Sequence, residues 1–178
     1  MHARTTRSYH LKSMPGDVYR FLAKDHRRLE QLLDRATLGT AQIEPKSYLE
    51  FREGLLRHIS MEEKILLPAA QAVRGGKALP LAANLRLDHG ALAALLVLTP
   101  TPAIAAAIRA ILKAHNPKEE GPGGVYTECE NLQGFDSEQI LTRLQAARAV
   151  AVANYVDSPV AIESAHNALR RAGYQLSF

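Results

Sequence analysis

The sequence predicts an all-α protein, an antiparallel up-down-up-down four-helix bundle with a C-terminal helical extension. Three observations lead there. Apolar residues recur at three- and four-residue steps through most of the chain, the period of a helix with one buried face. Few runs alternate in β-branched residues, and no Asn-Gly or Asp-Gly hairpin signal occurs. The breaks between periodic segments are short, and short connections make successive helices antiparallel neighbours.

Val18, Phe21, Leu22, Leu29, Leu32 and Leu33 place a first helix over about 16–37, closed by Gly39 and Thr40. Pro45 stands at the first turn of a second helix, where its missing amide is harmless. That helix carries Phe51, Leu55, Leu56, Ile59, Ile65 and Leu66, and Pro68 is expected to kink it or end its regular part. Gly75-Gly76 breaks the chain before a third helix over about 79–98. Thr101-Pro102 has the form of a cap with proline at the first helical position and opens a fourth helix through Ile104, Ile108, Ile111 and Leu112. Beyond Gly134 two more helices are expected, capped at Asp136 or Ser137 and at Ser158-Pro159, and stopped by Gly173. The Ala-rich stretch LQAARAVAVA at 144–153 is read as helical. The predicted organisation is a flexible basic arm over 1–15, the bundle over 16–134 and the extension, packed on the bundle, over 135–178.

Hydrophobic content of 47% with 22% charged residues is that of a globular protein with a real core. No apolar run approaches the roughly 20 residues that span a bilayer, so no membrane partner is expected. The net charge of +4 owes much to Arg4, Arg7 and Lys12. No basic stripe with interleaved aromatics follows them, so nucleic acid is not an expected partner. A single cysteine, Cys129, forms no internal disulfide and is read without a redox role, and the cytoplasm is the expected compartment. No nucleophile elbow, phosphate loop or dinucleotide fingerprint is present.

The chemistry lies in an internal repeat. Asp25-His26 and Asp88-His89 each precede a His-x-x-x-Glu-Glu motif, His58 to Glu63 and His115 to Glu120. Only 12 of 178 residues are Glu, so the same offset arising twice is unlike chance. His26 lies in the apolar stripe between Leu22 and Leu29, and His89 between Leu85 and Leu92. His58 shares its face with Leu55, Glu62 and Ile65, and His115 continues the row of Ile108 and Ile111. Four imidazoles and the carboxylates Glu62 and Glu119 therefore point at the core. Burying one unpaired carboxylate costs at least several kcal/mol, and no Lys or Arg shares those faces. A pair of divalent cations satisfies all six groups at once. Imidazole and carboxylate without thiolate suit iron, manganese or zinc, and iron is the usual occupant of such bundles.

At these residues, over about 18–130, the sequence resembles the hemerythrin-like (HHE cation-binding) family. The resemblance implies a four-helix bundle enclosing a non-haem di-iron site. His26, His58, His89 and His115 become terminal ligands, and Glu62 and Glu119 bridge two irons together with an oxo or hydroxo group. Oxygen-carrying hemerythrins have a fifth histidine one turn after the third-helix ligand, where this chain has Ala93. The pattern is similar to the family's stress-response and iron-repair members. The expected function is binding or sensing of oxygen or nitric oxide, or iron handling under oxidative or nitrosative stress. An enzyme turning over peroxide or nitric oxide, and a metal-stabilised interaction module that dimerises through its C-terminal helices, are the alternatives.

Asp25 and Asp88 are read either as acceptors for imidazole N–H groups or as solvated helix residues. Glu63 and Glu120 are read as rim groups, Tyr48, Tyr126 and Tyr155 as packing residues, and His2, His10 and His166 as exposed. Two readings compete at HNPKEEGPGG, residues 115–124. Asn116 caps a new helix with Pro117 at its first position, or the fourth helix runs through a proline kink so that His115 and Glu119 share a face. In the second, Pro117 distorts the helix at the site, whereas His58 and Glu62 sit on an uninterrupted one.

Overall fold

The computed structural model describes residues 15–39 and 42–178. All regular structure among them is helical, with no strand. The expected basic arm and its histidines, His2 and His10, lie outside the described residues apart from Pro15.

The first helix, α1, spans Asp17–Thr37 and buries Val18, Leu22, Leu29, Leu32 and Leu33. Gly16 provides no side-chain cap, and the orphan amides of Val18 and Tyr19 donate instead to Glu130 Oε1, at 2.9 and 3.4 Å. The second helix, α2, spans Pro45–Met61 and is capped by Glu44, whose carboxylate accepts from the amides of Lys46 and Ser47. The helical path does not end or break at Pro68. It widens into a π-helical turn over Glu62–Leu66 and resumes as α3, Leu67–Val73. The Leu67 amide donates to the Glu62 carbonyl, five residues back. Proline has no amide and its ring collides with the carbonyl four residues earlier, so the wider turn lets the helix pass the proline. The π turn therefore lies on the motif expected to be regular.

The third long helix, α4, is Ala82–Leu95, shorter at both ends than the periodicity suggests. The fourth, α5, runs Pro102–Glu120 with Thr101 Oγ1 accepting from the Ile104 amide. It continues through Pro117. The Asn116 side-chain oxygen has no hydrogen-bond partner and so caps nothing, while the Gly121 amide donates to the Pro117 carbonyl at 2.9 Å. His115 and Glu119 therefore share one α-helical face, and no bulge forms there.

A short helix that the sequence reading lacked, α6, covers Val125–Glu130. Two further helices follow, α7 at Ser137–Gln145 capped by Asp136 and α8 at Pro159–Arg171 capped by Ser158. The Ala-rich stretch expected to be helical leaves helix after Gln145, and residues 147–158 run without regular structure. This segment is held by other means: Arg52, itself buried, donates to the Ala153 carbonyl at 2.8 Å and lies 4.4 Å over the Tyr155 ring, and the Val156 amide donates to the Val97 carbonyl. His166 is half-buried rather than exposed and stacks on Phe178.

The core falls into two apolar clusters. One gathers Leu29, Leu33, Phe51, Leu55, Leu92, Leu95, Ile108 and Ile111, with Leu169 of α8. The other gathers Val18, Leu22, Met61, Leu66, Leu85, Val125, Tyr126 and Leu144. On α1, α2 and α4 the boundary between clusters falls at the buried polar residues, and on α5 the first cluster ends just before His115. Helices α1 and α4 enter from the second cluster and leave through the first, whereas α2 starts in the first and ends in the second; α5 contributes only to the first, and the second is joined after it by Val125, Tyr126 and Cys129 of α6.

The GPGG segment positions α6. A Cβ on Gly124 would land on the backbone carbonyls of Glu119 and Gly121, and Gly123 has φ of +73°. Backbone atoms there have no freedom to yield, so Gly124→Ala displaces α6 from the end of α5. It is expected to lower stability by about 1–3 kcal/mol, read from the midpoint of urea denaturation.

Candidate metal centre

All six residues predicted from the motif repeat are brought together, and none is more than 5% exposed. His58 in the last turn of α2 meets Glu62, the first residue of the π-helical turn, Nε2 to Oε1 at 3.3 Å, and His115 meets Glu119 across the last turn of α5, at 3.1 Å. His26 of α1 reaches Glu119 Oε2 at 3.3 Å, and His89 of α4 reaches Glu62 Oε2 at 3.2 Å. The donor atoms fall into two adjoining groups, His26–His58–Glu62–Glu119 and Glu62–His89–His115–Glu119, which share both carboxylates. The His26 and His58 rings meet tilted, with centroids 4.4 Å apart, and the His89 and His115 rings meet edge-on at 4.8 Å.

Every imidazole turns its other nitrogen outward onto a carboxylate. His58 Nδ1 donates to Asp25 at 3.0 Å and His115 Nδ1 to Asp88 at 3.1 Å. His26 Nδ1 donates to Glu120 at 2.5 Å and His89 Nδ1 to Glu63 at 2.8 Å. An ionised carboxylate only accepts, so in each ring the proton sits on Nδ1 and the Nε2 lone pair faces inward. Such partners fix tautomer and orientation in metal-binding histidines. Asp25 and Asp88 are thus acceptors, the first of the two readings left open. Glu63 and Glu120, expected at the rim, hold the rings of the opposite half. The signal was present in the doubled Glu-Glu: the second residue points about 100° away from the first, toward a neighbouring helix. Three of these carboxylates pair with cations farther out, Asp25 with Arg28, Glu63 with Arg86 and Asp88 with Lys118. Asp88 also accepts from the Tyr174 hydroxyl at 3.0 Å, which ties the C-terminal segment to the site.

The donor set fits cations. With the ring protons on Nδ1, Glu62 Oε2, His89 Nε2 and Glu119 Oε1 are buried acceptors that face one another without a proton to share, and all three belong to residues of the His89–His115 group. Buried polar atoms are otherwise almost always paired, and three inward-facing acceptors in one place are what a divalent ion satisfies.

Residues 17–122 match the Hemerythrin HHE cation binding domain. The chain belongs to that family. No curated protein and no solved structure matches it. A hemerythrin-like domain is a cation-binding domain, and in this one the two His/Glu groups are able to hold a metal.

One residue read as packing stands inside this hemerythrin-like site. Tyr126 Oη lies 3.2 and 3.3 Å from Nε2 of His26 and His58, 2.5 Å from Glu62 Oε1 and 3.2 Å from Glu119 Oε2. Its helix, α6, follows a break that ends the motif pattern, so no periodicity connected it to the ligands. Tyr48 and Tyr155 are packing residues, as expected, the first against Phe51 and the second against Arg52. Burial pushes the Cys129 thiol up to about 12, consistent with an inert core residue. A cleft of about 400 Å³ between α1 and α5, walled by Leu29, Leu33, Leu112 and Pro117, reaches the edge of His26.

With metal stripped, protons take its place. Burial pushes His26 down, but hydrogen bonds to Glu119 and Glu120 outweigh it and lift its pKa to about 10. His89 rises to about 12 by the same balance with Glu119, Glu62 and Glu63. Asp25 is driven up by burial and further down by His58 and Arg28, to about 2. The raised imidazoles contribute stability that is whole below their ordinary 6.5 and lost as pH climbs toward about 10. The lowered Asp25 contributes stability lost as pH falls from 3.8 toward about 2. The metal-free protein should therefore be most stable between about pH 4 and 6.5. Above that window its melting temperature should fall roughly 2–4 °C per kcal/mol lost, at up to about 1.4 kcal/mol for each histidine and pH step. Calorimetry of the chelated protein across this range checks the sign. In the outward layer, Glu120→Gln or Glu63→Gln should weaken metal binding by roughly 10–100-fold while the fold persists, read by competition with a chromophoric chelator.

Proposed function

We propose that this chain is a non-haem di-iron protein that binds or senses a small diatomic, oxygen or nitric oxide, or handles iron under oxidative or nitrosative stress. The observation that carries this reading is the pair of adjoining donor groups sharing Glu62 and Glu119, with unpartnered acceptors on the His89–His115 side. His26 and His58 hold one ion and His89 and His115 the other, while Glu62 and Glu119 bridge them. The opposite order in which α1 and α4 on the one hand and α2 on the other cross the two apolar clusters supports the antiparallel up-down-up-down bundle. Iron is favoured over zinc or manganese by the two shared carboxylates, which suit an oxo- or hydroxo-bridged pair. Two irons bound there supply coordination positions for a small ligand.

What the chain's own residues do follows from the geometry. The six donors exclude bulk water and hold ions in a dry, charge-balanced layer. The four outer carboxylates accept the Nδ1 proton of each ring and so aim its Nε2 inward. Ala93, one turn beyond His89 on α4, contributes no donor, which leaves space on the ion held by His89 and His115.

The purified protein should carry about two irons per chain and show an oxo-to-iron absorption that changes on exposure to oxygen, nitric oxide or peroxide. A His58→Ala/His115→Ala double variant should lose both metal and absorption. Retention of both would remove the reading, and steady-state turnover of peroxide or nitric oxide would assign the centre to an enzyme.

A further inference from the structure

We infer that Tyr126 is itself a metal ligand, a phenolate that completes the coordination of the ion held by His26 and His58 and leaves the open position on the other ion. The inference rests on the cation-binding reading of the six donors and adds a seventh. Its basis is the surroundings of the Tyr126 hydroxyl. His26 and His58 spend their ring protons on Glu120 and Asp25, so both present bare Nε2 lone pairs. With Glu62 and Glu119 they set four acceptors around one hydroxyl, which has a single proton and gives it to Glu62 at 2.5 Å. Three acceptors remain facing the hydroxyl oxygen, an arrangement relieved either by extra protons on the rings, when metal is stripped, or by a cation among them.

The spacing is that of a coordination shell. Ligands at about 2.1 Å from an octahedral ion stand about 3.0 Å from their neighbours. Tyr126 Oη stands at 3.2, 3.3, 2.5 and 3.2 Å from the other four donors, and neighbouring donors such as His26 Nε2 and Glu119 Oε2 are 3.3 Å apart. The four donors lie within 4.8 Å of one another. An oxygen in their midst would come closer to each than 3.2–3.3 Å, so Tyr126 Oη caps the group from one side rather than filling its centre. On coordination the phenol O–H breaks, its proton leaves to solvent, and the oxygen lone pair binds the ion, with no change of oxidation state.

The position is built. Glu130 of the same short helix caps α1, the Tyr19 hydroxyl donates to the Glu120 carbonyl, and the Tyr19 ring meets Tyr126 edge-on at 6.0 Å. Among the described residues nothing equivalent stands over the other group, where the three unpartnered atoms lie and Ala93 adds no donor. The two ions are then unequal: His26, His58, Glu62, Glu119 and Tyr126 supply five protein ligands to one, and His89, His115, Glu62 and Glu119 supply four to the other.

The test uses the full-length protein loaded with ferric iron. The wild type should show a visible phenolate-to-iron band, with tyrosine ring modes in its resonance Raman spectrum that shift when the protein is grown on ring-deuterated tyrosine. Tyr126→Phe should keep two irons and lose the band and ring modes. It should also bind a second equivalent of azide where the wild type binds one. A wild type holding two irons without ring modes, or a Tyr126→Phe variant whose band is unchanged, overturns the inference and leaves the cation-binding reading standing. A wild type that takes up no metal overturns both. The label shift in the wild type decides the matter even if the variant does not fold.

Discussion

Two carboxylates, Glu62 and Glu119, are buried to 1% and 0% exposure at the middle of this protein, and the structure is organised around balancing them. Isolated charges so placed cost several kcal/mol each. The imidazoles of four helices converge on the pair, and each imidazole is held by a further carboxylate at the edge of the layer. Three of those carboxylates meet Arg28, Arg86 or Lys118 nearer the surface. Charge thus alternates outward from the centre, and the apolar clusters close the layer from above and below. A cation at the centre is the natural counterpart of this ordering, because without one the balance must be met by protons on the histidines.

The repeat gives the layer approximate twofold character. Within each half the Asp of Asp-His serves the histidine of the following helix, and the second Glu of each Glu-Glu pair crosses to the opposite half. The halves differ in how they tolerate proline. Pro68 lies six residues beyond Glu62 and is accommodated by a π-helical turn starting at that carboxylate. Pro117 lies between His115 and Glu119 and is accommodated without leaving the α-helix. Gly-Pro-Gly-Gly then ends α5 and turns the chain so closely that α6 sits over only one of the two donor groups. That turn is the source of the asymmetry at Tyr126.

Much of the fold was legible. The helix starts at Pro45, Thr101, Asp136 and Ser158 coincide with the observed caps because capping is a local hydrogen-bond pattern between neighbours in sequence. The stretch 147–158 was not legible: alanine favours helix, yet Arg52, which binds the Ala153 carbonyl and the Tyr155 ring, and Val97, which binds the Val156 amide, hold the segment outside any helix, a tertiary override of propensity. At Asn116 the local capping signal likewise lost to the helix that carries both His115 and Glu119.

The six donors emerged from spacing alone, since a residue four positions from another on a helix must share its face, and a repeated pattern leaves little room for chance. The all-helical class and the buried His–Glu set are consequences of that periodicity and needed no knowledge of which helix lies beside which. The outer partners were a different matter. Glu120 meets His26 and Glu63 meets His89 across 94 and 26 residues, and Tyr126 reaches His26 from 100 residues away. No local rule links such pairs. They exist because the helices cross at the angles their apolar faces permit, and only the packed chain decides which side chains those crossings bring within a hydrogen bond of one another.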